Sequence, residues 1–78
     1  MSLFSRIFRK PESELERLVE EIEINLSNNY KSVAHAARAK LGERTEELYA
    51  LGKISEEKYK FFRRKYEIYT ESMKNYHH

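Results

Sequence analysis

Apolar residues recur at intervals of three and four positions along the first two thirds of the chain. The pattern begins at Leu15 and ends at Leu51, and Arg44 is the one polar break in it. Its mean spacing is about 3.6 residues, the period of an amphipathic α-helix. Because the stripe keeps its phase throughout, we predict one long helix over about residues 13–51. The stripe consists of Leu15, Val19, Ile22, Leu26, Tyr30, Val33, Ala37, Leu41, Leu48 and Leu51.

This predicted helix has a marked start and two weak points. Ser13 and Glu16 have the spacing of a capping box, which satisfies the free N–H groups of a helix start. The pair Asn28-Asn29 is a poor helix former, and Gly42 costs about 1 kcal/mol relative to alanine inside a helix. A three-helix alternative breaks the chain at the two asparagines. The unbroken phase of the stripe favours a single helix, bent at Gly42.

A second helix follows a predicted turn at residues 52–54. Gly52 fits the left-handed position after a helix end, and Ser55 is a natural N-cap for a helix over about residues 55–75. The chain is therefore predicted to be an all-α helical hairpin over residues 11–76, with a long first helix and a shorter second helix. The apolar seam of the second helix consists of Tyr59, Phe62, Tyr66, Tyr69, Met73 and Tyr76, with Phe61 and Ile68 as a second stripe beside it.

The two predicted helices differ in length, which leaves part of the first one without a partner. At a rise of about 1.5 Å per residue, the first spans about 58 Å and the second about 32 Å. Burying a large aliphatic side chain is worth about 1.5–3 kcal/mol, so we expect another surface to cover the overhang. A chain of 78 residues also has a small core that association would support, and we predict self-association into a helical bundle, with a homodimer favoured. The expected oligomer or partner interface comprises Leu15, Leu18, Val19, Ile22 and Leu26.

Composition and charge narrow the class of protein. The chain has no cysteine, so disulfides are impossible, and its formal net charge is only +2. No apolar run reaches the ~20 residues needed to cross a bilayer. These features predict a soluble, cytoplasmic protein. The charge is uneven, however, because residues 11–26 hold six glutamates and one arginine while the second helix is rich in lysine and arginine, a distribution that favours pairing between two copies.

Residues with candidate catalytic chemistry are sparse. His35 is the one histidine outside the C-terminus, and its helical neighbours Arg38 and Ala39 are not metal ligands. The sequence contains no phosphate-binding glycine loop and no nucleophile–base arrangement with supporting spacing. We therefore predict a protein that is not an enzyme, with no catalytic residue, metal site or cofactor. The pair His77-His78 is interpreted as a tail or as the remnant of a purification tag.

Residues 1–10 form a short amphipathic segment before Pro11. On a helix, its large apolar side chains would share one side and its cations would lie toward the other. We rank an intramolecular core flap or an oligomer contact first, and contact with a membrane surface second, because cations beside apolar side chains suit anionic headgroups. A third interpretation derives the first three residues partly from an expression vector. The apolar set is Leu3, Phe4, Ile7 and Phe8, and the cations are Arg6, Arg9 and Lys10.

The basic residues of the second helix suggest one more kind of contact. Lys60, Arg63 and Arg64 are candidates for a charge patch that meets a protein partner or nucleic-acid phosphates. The leading hypothesis is a non-enzymatic interaction module, an adaptor or regulator, that acts through helix packing and homo-oligomerisation with an unknown protein partner. The alternative is a peripheral membrane-associated protein tethered by residues 1–10. Weak nucleic-acid binding ranks third, because the aromatic seam faces the predicted core.

Overall fold

The computed structural model describes residues 10–74, which form three α-helices. The helices are α1 (Pro11–Ser27), α2 (Lys31–Ala50) and α3 (Glu56–Met73), and no strand occurs within the described range. The predicted all-α class is confirmed. The predicted two-helix hairpin is wrong, because the stretch assigned to its long first helix is divided into α1 and α2.

The division lies at the asparagine pair. Asn29 adopts a left-handed backbone conformation with φ 65°, which asparagine tolerates better than most residues. The Tyr30 N–H donates to the Asn25 carbonyl at 2.8 Å, and the Asn29 N–H donates to the Leu26 carbonyl at 3.1 Å. These two bonds form a Schellman motif, which satisfies the last carbonyls of α1. The continuous helix predicted over residues 13–51 therefore ends at Ser27, as in the three-helix alternative.

The stripe that suggested a continuous helix does not match the face that α2 buries. Val33 is 45% exposed and Tyr30 is 61% exposed, although both belong to the predicted stripe. The stripe seemed to break at Arg44 because the buried position there belongs to the next residue, Thr45. The Thr45 hydroxyl donates to the Leu41 carbonyl at 2.6 Å, so this buried polar group is satisfied. The buried face of α2 consists of Ala34, Ala37, Leu41, Gly42, Thr45 and Leu48.

The start of α1 and the turn before α3 show how local chemistry sets helix ends. Pro11 is the first residue of α1, and the N-cap is Lys10, which makes no side-chain capping bond. The start predicted at Ser13 is therefore two residues late. Gly52, with φ 72°, closes a second Schellman motif after α2, and the Ser55 hydroxyl accepts from the Lys58 N–H at 3.1 Å at the start of α3. Gly52 and Ser55 therefore have the helix-end and N-cap roles predicted from the sequence.

The core of the bundle is one continuous apolar cluster to which all three helices contribute. α2 packs along both α1 and α3, whereas α1 and α3 meet along a narrower line. Two tight turns join the three helices, so α1 and α3 run in the same direction. The aromatic seam predicted for the second helix enters the core through Phe62, Tyr69 and Met73, while Tyr59 and Tyr66 are partly buried against it. The buried apolar residues are Leu15, Ile22, Ala34, Ala37, Leu41, Leu48, Ile54, Phe62, Tyr69 and Met73.

The predicted overhang does not exist in this fold. The break at Asn29 allows α1 to pack back on α2, so the apolar face of α1 is covered within one chain. Leu15 and Ile22 are fully buried there. Leu18, Val19 and Leu26 are partly buried against the same core. These five residues were expected to form an oligomer or partner interface because they lacked cover, and that reason is removed. Self-association itself stays a prediction.

Candidate functional site

A surface groove runs between α1 and α3, where these helices pack less closely than either packs on α2. Two adjoining depressions form it, of about 370 and 270 Å³, and Glu16, Phe61 and Phe62 line both. The floor is apolar, because Val19 lines it and Phe62 is almost fully buried beneath it. We call this feature the α1–α3 groove. The lining residues run from Glu57 and Lys58 near the start of α3 to Glu23 and Lys65 at the other end.

The α1 side of the groove is acidic. Glu16, Glu20 and Glu23 are spaced by four and three residues, so they share one side of the helix. Glu16 and Glu23 line the groove, and Glu20 is exposed between them. Neither Glu16 nor Glu20 forms an ion pair with another residue in the range 10–74. Two carboxylates therefore remain available to an outside cation.

The α3 side of the groove is apolar and basic. Phe61 is 54% exposed, because its neighbour Phe62 takes the core position, and the two rings meet edge to face with centroids 5.0 Å apart. Ile68, 49% exposed, lies two helical turns further along α3, outside the groove, where it lines a separate depression with Arg64 and Glu67. The ammonium group of Lys65 is 5.8 Å from the centre of the Phe61 ring. The large apolar side chain of Phe61 thus remains half-exposed opposite the carboxylate of Glu16.

The far end of the groove is closed by a contact between α3 and α1. The Tyr69 hydroxyl donates a hydrogen bond to the Glu23 carboxylate. Burial raises the pKa of Tyr69 above its ordinary value, and the bond to Glu23 raises it further. Because the rest of the Tyr69 side chain belongs to the core, this bond fixes the separation of the two helices at that end.

The predicted charge patch is not a set of free cations. Arg63 pairs with Glu46 at 3.0 Å and with Glu67 at 3.3 Å. Lys60 pairs with Glu56 at 3.5 Å. Arg64 alone of the three predicted residues has no ion pair within residues 10–74. The structure therefore engages two of the three cations inside the chain.

The remaining predicted residues do not form a site within the described part of the chain. His35 is half-buried, and no group of three potential metal ligands occurs among residues 10–74. No helix in that range is both long and apolar enough to pass through a membrane. The predicted apolar contacts Leu3, Phe4, Ile7 and Phe8 lie outside the described residues, as does the pair His77-His78.

Sequence reasoning missed the groove, although two of its signals are visible in the sequence. The second stripe on the last helix, Phe61 and Ile68, was recognised without a partner surface. The regular spacing of Glu16, Glu20 and Glu23 marks one acidic side of α1. What was missing is the return of α1 along the bundle, because only that return brings the two surfaces together.

Comparison with known proteins gives no further assignment: no family model, curated protein or solved structure matches the chain.

Proposed function

We propose that this protein is a non-enzymatic interaction module that binds a short, basic amphipathic helix in the α1–α3 groove. One observation carries the proposal: the half-exposed Phe61 lies across an apolar floor from Glu16, whose carboxylate has no ion pair among residues 10–74, and Glu20 is one turn further along α1. An apolar helix face would cover the aromatic and aliphatic side chains. Cations on the flank of the same helix would meet the carboxylates.

The energetics of such a contact are favourable on both sides of the groove. Full burial of a large apolar side chain is worth about 1.5–3 kcal/mol, and Phe61 in the groove and Ile68 beyond it on α3 each retain about half of that gain for a partner. Recognition of an amphipathic helix in a groove commonly uses anchors one and two turns apart, and these two side chains are two turns apart. The carboxylates add selectivity and orientation more than affinity, since they lie at the rim in water.

The two other functions predicted from the sequence have less support. Membrane association depends on residues 1–10, of which the structure describes only Lys10, and it stays a prediction. Nucleic-acid binding through the second helix stays a prediction as well. The pairing of Arg63 with Glu46 and Glu67 weakens its basis, because a phosphate would have to compete with two carboxylates.

The direct test is a titration of the ¹⁵N-labelled full chain with a synthetic amphipathic peptide. One peptide carries lysine and arginine on the flank of a leucine and phenylalanine face, and a second carries glutamate at the same positions. We expect the basic peptide to shift the amide resonances of Val19, Phe62 and Lys65, which line the groove, in a saturable way. Equal binding of both peptides, or shifts confined to another surface, would contradict the proposal.

Matched variants make the titration specific. Phe61→Ser removes a side chain that lines both depressions of the groove and should weaken binding about tenfold. Ile24→Ser, at a similarly exposed isoleucine on α1 that does not line the groove, should leave it unchanged. Glu20→Lys should weaken binding about fivefold, whereas Glu43→Lys, an exposed glutamate of α2, should not.

A further inference from the structure

Within the described part of the chain, the helix that best fits the α1–α3 groove is α3 itself. We propose that α3 of a second copy lies in this groove, and that two chains thereby form a symmetric antiparallel dimer in which each covers the binding site of the other. The inference rests on the proposed function, because it names a partner and a form of regulation for that same groove. The surface differs from the interface expected from the sequence, whose residues belong to the core of one chain or pack against it.

The outer side of α3 carries a stripe that extends beyond the groove. Phe61 and Ile68 are seven residues apart, and Lys58, Lys65 and Ser72 continue the same side of the helix at intervals of three and four. The first part of the stripe lines the groove, whereas Ile68 and Ser72 line the separate depression on α3. α3 thus has the two features that the groove requires of a partner helix, namely apolar anchors two turns apart and cations beside them.

An antiparallel arrangement pairs the two anchors with each other. When Phe61 of each copy meets Ile68 of the other, the contact is isologous and covers both half-exposed side chains in both chains. The same register brings Lys58 level with Glu71 of the second copy, so that exposed groups of opposite charge meet. A parallel arrangement would bring each charged residue level with its own counterpart and would align the two helix dipoles, which is unfavourable.

The acidic side of α1 is level with a cation that α3 leaves free. Because Tyr69 bonds to Glu23 and the two helices run in the same direction, the residues one turn earlier, Lys65 and Glu20, are level with each other. In the proposed register, Arg64 of the second copy lies at this level, on the flank of α3 where it lines a depression formed by α3 alone. Neither Arg64 nor Glu20 forms an ion pair within residues 10–74. The dimer would therefore contain two new contacts between groups of opposite charge.

The charges at the centre of this dimer balance. Arg64 and Lys65 of each copy lie near the two-fold axis, because they are midway between the two anchors. Glu16 and Glu20 of each copy flank the same level on α1. The cations of the two chains are therefore matched by an equal number of carboxylates, and the centre carries no net charge.

The size of the contact suits a reversible dimer. α1 has 17 residues and α3 has 18. Helices of this length are about 26 Å long, and a face two helices wide is about 20 Å across, so two stacked faces cover roughly 1,000 Å² in total. This is about the lower bound for a specific interface, roughly 1,000 Å². We therefore expect a dimer that separates into folded chains on dilution.

Such a dimer would make the groove sensitive to the concentration of the chain. Each groove is covered in the dimer, so a partner helix binds only the monomer, and its apparent affinity falls with the fraction of monomer. At high concentration the module would respond to tight partners and ignore weak ones.

Sedimentation equilibrium of the full chain, from low micromolar to millimolar concentration, is the first test. We expect a monomer–dimer equilibrium. Ile68→Ser should raise the dimer dissociation constant about thirtyfold, because the substitution acts at two symmetric contacts. Ile24→Ser, at a similarly exposed isoleucine of α1, should leave it unchanged. A monomer at every concentration, an assembly larger than a dimer, or equal effects of the two serine variants would overturn the proposal.

A charge-swap experiment tests the contact between Arg64 and Glu20. Arg64→Glu and Glu20→Lys should each weaken association about tenfold, since each homodimer then contains two pairs of like charge. An equimolar mixture of the two variants should dimerise about as strongly as the unchanged chain, because both contacts then join opposite charges. A mixture of Arg64→Glu with Glu43→Lys is the control and should remain weaker. Failure of the first mixture to recover would overturn the proposed register.

A spin label tests the antiparallel direction. The chain has no cysteine, so Ser72→Cys provides one attachment site for a nitroxide on unenriched chains, which are mixed with unlabelled ¹⁵N chains. We expect paramagnetic broadening of the amides of Glu57 and Lys58, at the opposite end of α3. A label at Ser32→Cys, at the exposed start of α2, is the matched control and should broaden neither. Broadening centred on Met73, or confined to α2, would overturn the proposal.

The basic peptide of the previous section separates this proposal from the proposed function. It should bind the dilute, monomeric chain more tightly than the concentrated chain. If the chain is a monomer throughout and the peptide occupies the groove, only the dimer is overturned, and the groove is left to a helix of another protein. If the dilute monomer does not bind the peptide, the proposed function is overturned.

Discussion

Gly42 lies against the ring of Tyr66, so close that a methyl group at this position would have its carbon 2.6 Å from the Tyr66 Cε1 atom. The ring also lies beneath two guanidinium groups, with Arg38 at 5.7 Å and Arg63 at 5.1 Å from its centre. α2 continues through Gly42 to Ala50. The glycine therefore serves the packing of α2 on α3, and the bend expected from the sequence is not the reason for it.

The first prediction concerns Gly42→Ala. Alanine improves helix propensity by about 1 kcal/mol, but overpacking at a close contact costs about 1–3 kcal/mol. We expect a net decrease in the free energy of unfolding, measured by urea denaturation. In a Tyr66→Ala background the contact is absent, and the same substitution should increase the free energy of unfolding. Gly52→Ala is the control: its cost arises from φ 72° and not from a neighbour, so Tyr66→Ala should not change its sign. A decrease for Gly42→Ala in both backgrounds would contradict the packing role.

The second prediction tests the break between α1 and α2. Because Asn29 has φ 65°, Asn29→Ala should lower the free energy of unfolding by about 1 kcal/mol, whereas Asn29→Gly should leave it unchanged or raise it. Asn28→Ala is the control, since Asn28 has φ −91°. A continuous helix would reverse the order at position 29, with alanine more stable than glycine. Chemical denaturation of the four proteins therefore distinguishes the two folds.

The error at the asparagines has a definite physical origin. Ala37, Leu41 and Leu48 belong both to the predicted stripe and to the face that α2 buries, so these positions fit a continuous helix and a broken one equally well. Among the differences, Val33 belongs to the stripe but is exposed, and Thr45 is buried but does not belong to it. A valine outside with a threonine inside runs against simple hydrophobic ranking. Asparagine is weakly unfavourable inside a helix and favourable in the left-handed position, and composition does not tell which applies.

Other parts of the fold could be predicted because a local signal decided them. The Gly52 turn, the Ser55 cap and the aromatic face of α3 each depend on side chains near one another in sequence. The groove depends on residues of α1 and α3 that are more than forty positions apart, as with Glu16 and Phe61. Its prediction required the topology, and the topology required the break at Asn29.

The third prediction concerns the ion pair that joins the start of α1 to α2. Arg44 donates to both carboxylate oxygens of Glu14, at 2.6 and 2.9 Å, and the side chains are only 27% and 35% exposed. This bond is the main reason that the pKa of Arg44 is raised. A double-mutant cycle with Arg44→Gln and Glu14→Gln should give a coupling free energy of about 0.5–1 kcal/mol, the upper range for a solvent-screened pair.

The exposed pair of Lys60 and Glu56, 3.5 Å apart on α3, is the matched reference for that cycle. Its coupling should be smaller and should vanish in 1 M salt, since both side chains lie in water. If the two cycles gave equal couplings, the two-bond geometry at Arg44 would contribute nothing beyond ordinary surface attraction.

The fourth prediction follows from the hydrogen bond between Tyr69 and Glu23 across the end of the groove. Tyr69→Phe should lower the free energy of unfolding by about 1 kcal/mol at pH 7, because the bond is lost and the ring remains. Burial raises the pKa of Tyr69 in the folded chain, whereas an unfolded tyrosine ionises near pH ~10. Below that pH both states hold the proton, so the contribution is complete. Above it the unfolded chain alone loses the proton, and stability falls with rising pH.

Denaturation between pH 7 and 11 should therefore show the gap between the native chain and Tyr69→Phe narrowing above pH ~10. Tyr30→Phe, at an exposed ring, should follow the native curve, and a constant gap for Tyr69→Phe would mean that the phenol does not hold its proton against Glu23.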